Sequence, residues 1–137
     1  MSNSHMTAAA LAAAVRNGEL SAGDIARDCL ERITVVDGNL SAFCETFAER
    51  ITSRAAAVDE RQAAGETLGA LAGVPIASKD NLLVAGEHAT AGSRMLAKFR
   101  APFTATSLQR LEQADAILLG RTNMDEFGMG STTETSA

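Results

Sequence analysis

Tryptophan and tyrosine are absent from the 137-residue sequence, and only five phenylalanines supply aromatic surface. No core built around large rings is therefore available, and the abundant alanines point to close packing through small side chains. Cysteine occurs twice, at Cys29 and Cys44, with neither Cys-x-x-Cys nor metal-ligand spacing, so two free thiols in a reducing compartment are expected. Of the two histidines, His88 has no second ligand or base near it in sequence and reads as a loop residue. Basic clusters are missing, and a formal net charge of -5 leaves little with which to displace counterions from a phosphate backbone. Any RNA contact must come from another polypeptide. No apolar run approaches the roughly 20 residues of a bilayer span, and no charged start leads into an apolar segment. A soluble cytoplasmic protein without membrane partners is expected, and its 46% apolar content is enough for a globular core.

Residues 1–6 are polar and without period and read as a disordered extension, with Met6 an equally good start. A helical region follows over residues 7–65. Ala-rich Thr7 to Arg16 favours a first helix that Asn17-Gly18 stops. Ser21 opens a second, with Ile25, Cys29 and Ile33 on one stripe and Asp37-Gly38 as its closing turn. A third is expected from about Glu45 to Ala64, with Phe47, Ile51, Ala55 and Val58 facing inward and Gly65 ending it. Its other face, with Glu49, Arg50, Arg54, Asp59, Glu60 and Arg61, reads as solvated.

An α/β segment is expected over residues 66–137. Val74 to Ser78 reads as a strand with Pro75 at its start. A side-chain period of two puts Val74, Ile76 and Ser78 on one face and Pro75, Ala77 and Lys79 on the other, with Asp80 pointing away from Lys79. Spacing alone leaves Lys79 open to two readings, a strand end reaching solvent or a functional lysine. Thr90-Ala91-Gly92-Ser93 has turn composition, and Ser93 to Leu96 can form a helical turn. Thr104 or Thr106 can cap a helix running to Ala114, and Ala116 to Leu119 is apolar throughout, as in a strand buried on both faces. Strand, helix and strand then compose a parallel crossover unit that brings Lys79 near an Arg121-Thr122-Asn123 turn, at the carboxyl edge where ligands gather. Asn123 with Glu126 suggests another short helix. Only two strands are expected, and a pair alone is marginal.

The run Gly73-Val-Pro-Ile-Ala-Ser-Lys-Asp-Asn81, followed by Thr90-Ala-Gly-Ser93 and by Ala116 to Ser131, resembles the motifs of the amidase signature family in order and spacing. Within it, Asn123-Met-Asp-Glu-Phe-Gly-Met-Gly-Ser131 looks most like the A subunits of the aspartyl/glutamyl-tRNA amidotransferases. The resemblance implies an α/β fold, with N-terminal helices and the first strands of the family's mixed sheet. It implies glutamine hydrolysis by a Ser-cisSer-Lys mechanism with Lys79 as the catalytic lysine. Met129 and Ser131 fall in the substrate-side loop.

By the same resemblance, B and C subunits are the partners, glutamine is the substrate, and tRNA is met only through a partner. No cofactor belongs to this chain, while ATP and magnesium belong to a partner subunit. Both catalytic serines would lie beyond Ala137, so the chain alone is expected to be inactive. Ser78, Asp115 and Thr135 depart from the family pattern; Ser78 stands where an apolar residue is usual and could lessen desolvation around Lys79, and Asp115 where glycine is common. A general small-amide amidase, or a non-catalytic piece that binds a complementing chain, are the alternatives.

Overall fold

Alanine's helix propensity and a side-chain cap begin the ordered chain, since Thr7 Oγ1 accepts the Ala10 N–H at 3.2 Å and α1 runs over Ala8–Arg16. The computed structural model describes residues 6–137, so the expected extension lies, apart from Met6, outside the described residues. Ser21 accepts from Asp24 N and opens α2 at Ala22–Leu40. A strand follows at Phe43–Thr46 (β1), then α3 at Ala48–Ala63, β2 at Pro75–Lys79, α4 at Thr106–Gln113 and β3 at Ile117–Thr122. Short 3-10 turns occupy Arg94–Leu96 and Glu126–Gly128. The sheet is mixed, in the order β1-β3-β2. β3 pairs in parallel with β2 and antiparallel with β1. This is an α/β fold of helices and the expected parallel pair.

The core forms where helical stripes meet β3. Leu11 and Val15 of α1, Ile25 of α2, and Ile51, Ala55 and Val58 of α3 are all buried, as are Ile117, Leu118 and Leu119. At about 25 cal/mol per Å² of apolar surface removed from water, this shared cluster is the main stabilising term. β3 is buried along both faces, whereas β2 is covered on one only. Gly120 permits the tight β1–β3 approach, because a Cβ there would collide with the Glu45 carbonyl oxygen.

Several expectations change. Asp37-Gly38 does not close α2, which continues through it to Leu40. The Asp37 carbonyl still accepts within the helix, from Ser41 N at 2.8 Å, and its carboxylate reaches forward to Ala42 N at 2.8 Å. The chain turns at Ser41, whose φ is 50°. The third helix starts later than its periodicity suggests. Residues 43–46 are drawn into β1, Phe47 N–H donates to Leu119 O at 2.9 Å, and helix begins only at Ala48.

The charged side of α3 is not simply solvated. Arg50 pairs with Glu112, and Arg54 and Arg61 both pair with Asp115, at 3.1 and 2.7 Å. Asp59 accepts from Ser21 Oγ, Ala22 N and Gly23 N at 2.7 to 2.9 Å, so one helix caps the start of another. Asp115 itself adopts φ 68°, where glycine is favoured, and is held there by those arginines and by Gly69 N at 2.7 Å. Neither threonine caps α4. Thr104 Oγ1 instead accepts Ala85 N at 3.0 Å, and Ala105 occupies the cap position without a side-chain bond. Arg121 and Thr122 belong to β3 rather than to a turn. Asn123 does not cap a helix; its Oδ1 accepts from Met124 N and Ser136 Oγ.

Candidate functional site

Alternation along β2 decides what reaches the carboxyl edge of the sheet. Ser78 and Asp80 are buried, and Ala77 and Lys79 are exposed. Lys79 pairs in register with Thr122, so the two strand ends do lie side by side. No carboxylate among the described residues forms an ion pair with Lys79. Ser78 does not temper the surroundings of the lysine as its type suggests. It faces the other way and donates to Gly120 O at 3.0 Å.

Asp80 is fully buried, and a carboxylate there demands partners. Arg121 of β3 donates to it, as do Thr90 Oγ1, Thr90 N at 3.2 Å and Gly92 N at 3.4 Å. Arg121 also donates to Glu45 Oε2 of β1, at 2.9 and 3.3 Å. Burial alone would lower the Arg121 pKa. Hydrogen bonds and charge from Asp80 and Glu45 outweigh that and hold it above the ordinary value. One guanidinium thus ties β3 to β1 and to the residue that follows β2.

The Thr90 to Ser93 turn rests on this pair. Ala91 and Gly92 both have left-handed backbones, at φ 49° and 67°. A Cβ on Gly92 would stand 2.6 Å from Met124 O, so only glycine allows the turn to lie against the segment after β3. Ser93 Oγ donates to Glu126 Oε1 at 2.6 Å, and Phe127 N donates to Ala91 O at 2.8 Å. These contacts seat the loop that carries Met129 and Ser131. Both are exposed, Met129 by 76%, so the loop turns its two singled-out residues outward.

Thr135, a departure from the family pattern, closes the same loop: its Oγ1 donates to Asp125 Oδ1 at 3.0 Å and accepts from Glu126 N at 3.2 Å. Burial would raise the Asp125 pKa, but backbone donors of Thr132, Thr133 and Thr135 and the Thr135 hydroxyl together bring it below the usual carboxylate range. With the folded pKa depressed, this contribution to stability is complete above the ordinary aspartate value and is lost as pH falls through the folded value. Protection of the Thr133 and Thr135 amides, taken relative to their intrinsic exchange rate at each pH, should therefore fall below about pH 4. Unchanged protection in more acidic solution would remove Asp125 as the clasp.

Other nucleophiles contribute little at this edge. Cys44 Sγ lies 3.9 Å from Asn123 Oδ1, and burial followed by the Asp80 charge pushes its thiol pKa up, against a smaller opposing effect of Arg121. That disfavours a reactive thiolate. His88 is a loop residue, bridged through its backbone to Arg100.

The chain matches the family model described as Amidase over residues 24–137. A protein from Salinispora arenicola (strain CNS-205), described as the A subunit of glutamyl-tRNA(Gln) amidotransferase, is 51% identical over 132 residues, covering 96% of this chain and 27% of that protein. Among solved structures, an inhibitor-bound "vestigial protein complex" described as revealing the origins of an s-triazine catabolic enzyme superposes with a TM-score of 0.91 at 38% identity. That match covers 95% of this chain and 29% of the other. The crystal structure of the glutamyl-tRNA(Gln) amidotransferase A subunit from Thermotoga maritima superposes with a TM-score of 0.65 at 30% identity, covering 85% and 23%. The chain spans about a quarter of the length of these relatives.

Proposed function

The chain belongs to the amidase family, and from that premise we propose that it carries the lysine strand of a glutamine-hydrolysing subunit in a tRNA-dependent amidotransferase, an ATP-dependent ligase complex of translation. The observation that carries this reading is the position of Lys79 at the carboxyl end of β2, on a face of small residues and in register with Thr122. In the proposed reaction the neutral amine of Lys79 takes a proton from a bridging serine, which takes one from a nucleophilic serine. The serine oxygen bonds to the side-chain carbonyl carbon of glutamine, the C–N bond breaks, and ammonia leaves with the returned proton. Water then releases glutamate from the acyl-enzyme.

In this reading both serines would lie outside these 137 residues, as would the surface that covers Lys79. An ordinary lysine is neutral at pH 7 only at a cost of roughly 4 to 5 kcal/mol, so burial in the complete protein is part of the proposal. Ammonia would pass to the B subunit, where ATP and magnesium activate mischarged Glu-tRNA(Gln) or Asp-tRNA(Asn), with a C subunit joining the two. Met129 and Ser131 would face the amide pocket from the loop after β3.

A second reading, a general amidase of small amides, is favoured by the closer superposition on a bacterial aryl acylamidase of the amidase signature family than on the Thermotoga maritima protein. The 51% identity with an amidotransferase component supports the first. Ammonia release by the complete protein from glutamine and from propionamide, with and without B and C subunits, separates them. Preference for glutamine and stimulation by the partners are expected. Equal or better turnover of propionamide, indifferent to partners, would favour the second reading. The 137-residue chain alone should release no ammonia from either.

A further inference from the structure

We infer that Asp80 is a positioning residue for Lys79, a carboxylate that fixes the strand end bearing the lysine to the loop bearing Met129 and Ser131; this rests on the lysine reading above. The peptide after Lys79 is held from two sides. Asp80 N donates to Thr122 O at 3.1 Å, and Asp80 O accepts from Ala91 N at 3.3 Å. Its side chain, fully buried, then gathers Arg121, Thr90 and Gly92.

A carboxylate that served only to neutralise Arg121 would not need the turn donors, because Glu45 already accepts two bonds from that guanidinium. The additional bonds from Thr90 and Gly92 bind the turn to the residue following the lysine. The same turn also seats the later loop, through Ser93 to Glu126 and Phe127 to Ala91. Lys79 lacks any ion pair among the described residues, so its aim is set by the backbone at its root. Misplacement of a reacting group by about 1 Å can cost on the order of 10²-fold in rate.

The test uses the complete protein and glutamine turnover, each variant assayed at least about 10 °C below its own unfolding midpoint. Asp80→Asn keeps the shape and one acceptor but loses the charge and one acceptor of the carboxylate. Thr90→Val keeps the Asp80–Arg121 pair and removes only the hydroxyl donor. For Asp80→Asn a fall in kcat of about 10²-fold is expected, with KM for glutamine within about twofold of wild type. Thr90→Val should move the same way by a smaller factor, and it decides the matter if Asp80→Asn does not fold.

A folded Asp80→Asn with native kcat, or a folded Thr90→Val with native kcat where the asparagine variant is unfolded, overturns the inference. So does a loss confined to KM. Lys79→Ala, run beside them, keeps the two readings apart. If it retains turnover, the lysine reading fails. If it is inactive while the Asp80 and Thr90 variants are native, only the positioning role fails.

Discussion

Replacing Lys79 by alanine in the complete protein is expected to lower glutamine turnover by about 10²- to 10⁴-fold, the range a positioned proton-transfer group contributes, while leaving stability nearly unchanged. Two features of the strand separate these effects. The side chain has no ion-pair partner among the described residues, and the covered amine of the proposed reaction is neutral, so its removal leaves no buried charge uncompensated and should cost far less stability than breaking a buried ion pair. Its neighbour on the same face is the small Ala77, so little packing is lost. Lys79→Arg should not rescue activity, since a guanidinium does not give up its proton in a protein. Ammonia release and thermal unfolding on the same preparations check the pair of expectations, and near-native turnover in the alanine variant would take Lys79 out of the chemistry.

Replacing Arg121 by alanine should have the opposite signature, a collapse of stability. It would leave Asp80 with a buried, uncompensated charge and strip Glu45 of its only ion pair among the described residues. Breaking a buried pair from one side costs about 3–5 kcal/mol, against a total of roughly 5–15 kcal/mol for an ordinary domain. The control is Arg27→Ala. The Arg27–Asp24 pair sits on the surface, with both side chains more than half exposed, and such pairs contribute at most about 1 kcal/mol. Urea unfolding of both variants beside the wild type measures the contrast. Equal midpoints for the two would show that the Asp80–Arg121 pair is not structural.

Local pattern carried much of this into the sequence. The four-four-three spacing of Phe47, Ile51, Ala55 and Val58 marks the buried stripe of α3 and of the residue just before it, and all four are buried. Alternation around Lys79 separated it from Ser78 and Asp80, and the apolar run before Gly120 announced a strand covered on both sides. What escaped depends on partners distant in the chain. β1 has only four residues and acquires its conformation from β3, more than seventy positions later. Alternation puts Asp80 on the face away from the lysine, but its counter-ion is 41 residues away, and no local signal names it. The charges of α3 looked solvated for the same reason, since Glu112 and Asp115 lie over fifty residues on. One clue was available: a carboxylate predicted on the apolar side of a strand requires a cation somewhere.

The strand order β1-β3-β2 also sets a timetable for synthesis. The central strand is the last of the three to leave the ribosome, and the two outer strands hydrogen-bond to it and not to each other. A nascent chain that has emerged only as far as Asp115 therefore owns two strands and no sheet, with the inner faces of its helices waiting for the apolar residues 117–119. Helices can form as they appear, whereas the sheet must wait for contacts of long sequence separation. Arrival of β3 supplies the ladders of β1 and β2, the helix-facing core and the counter-charge for Asp80 in a single event, so the arrangement of these three strands is not committed until β3 has emerged.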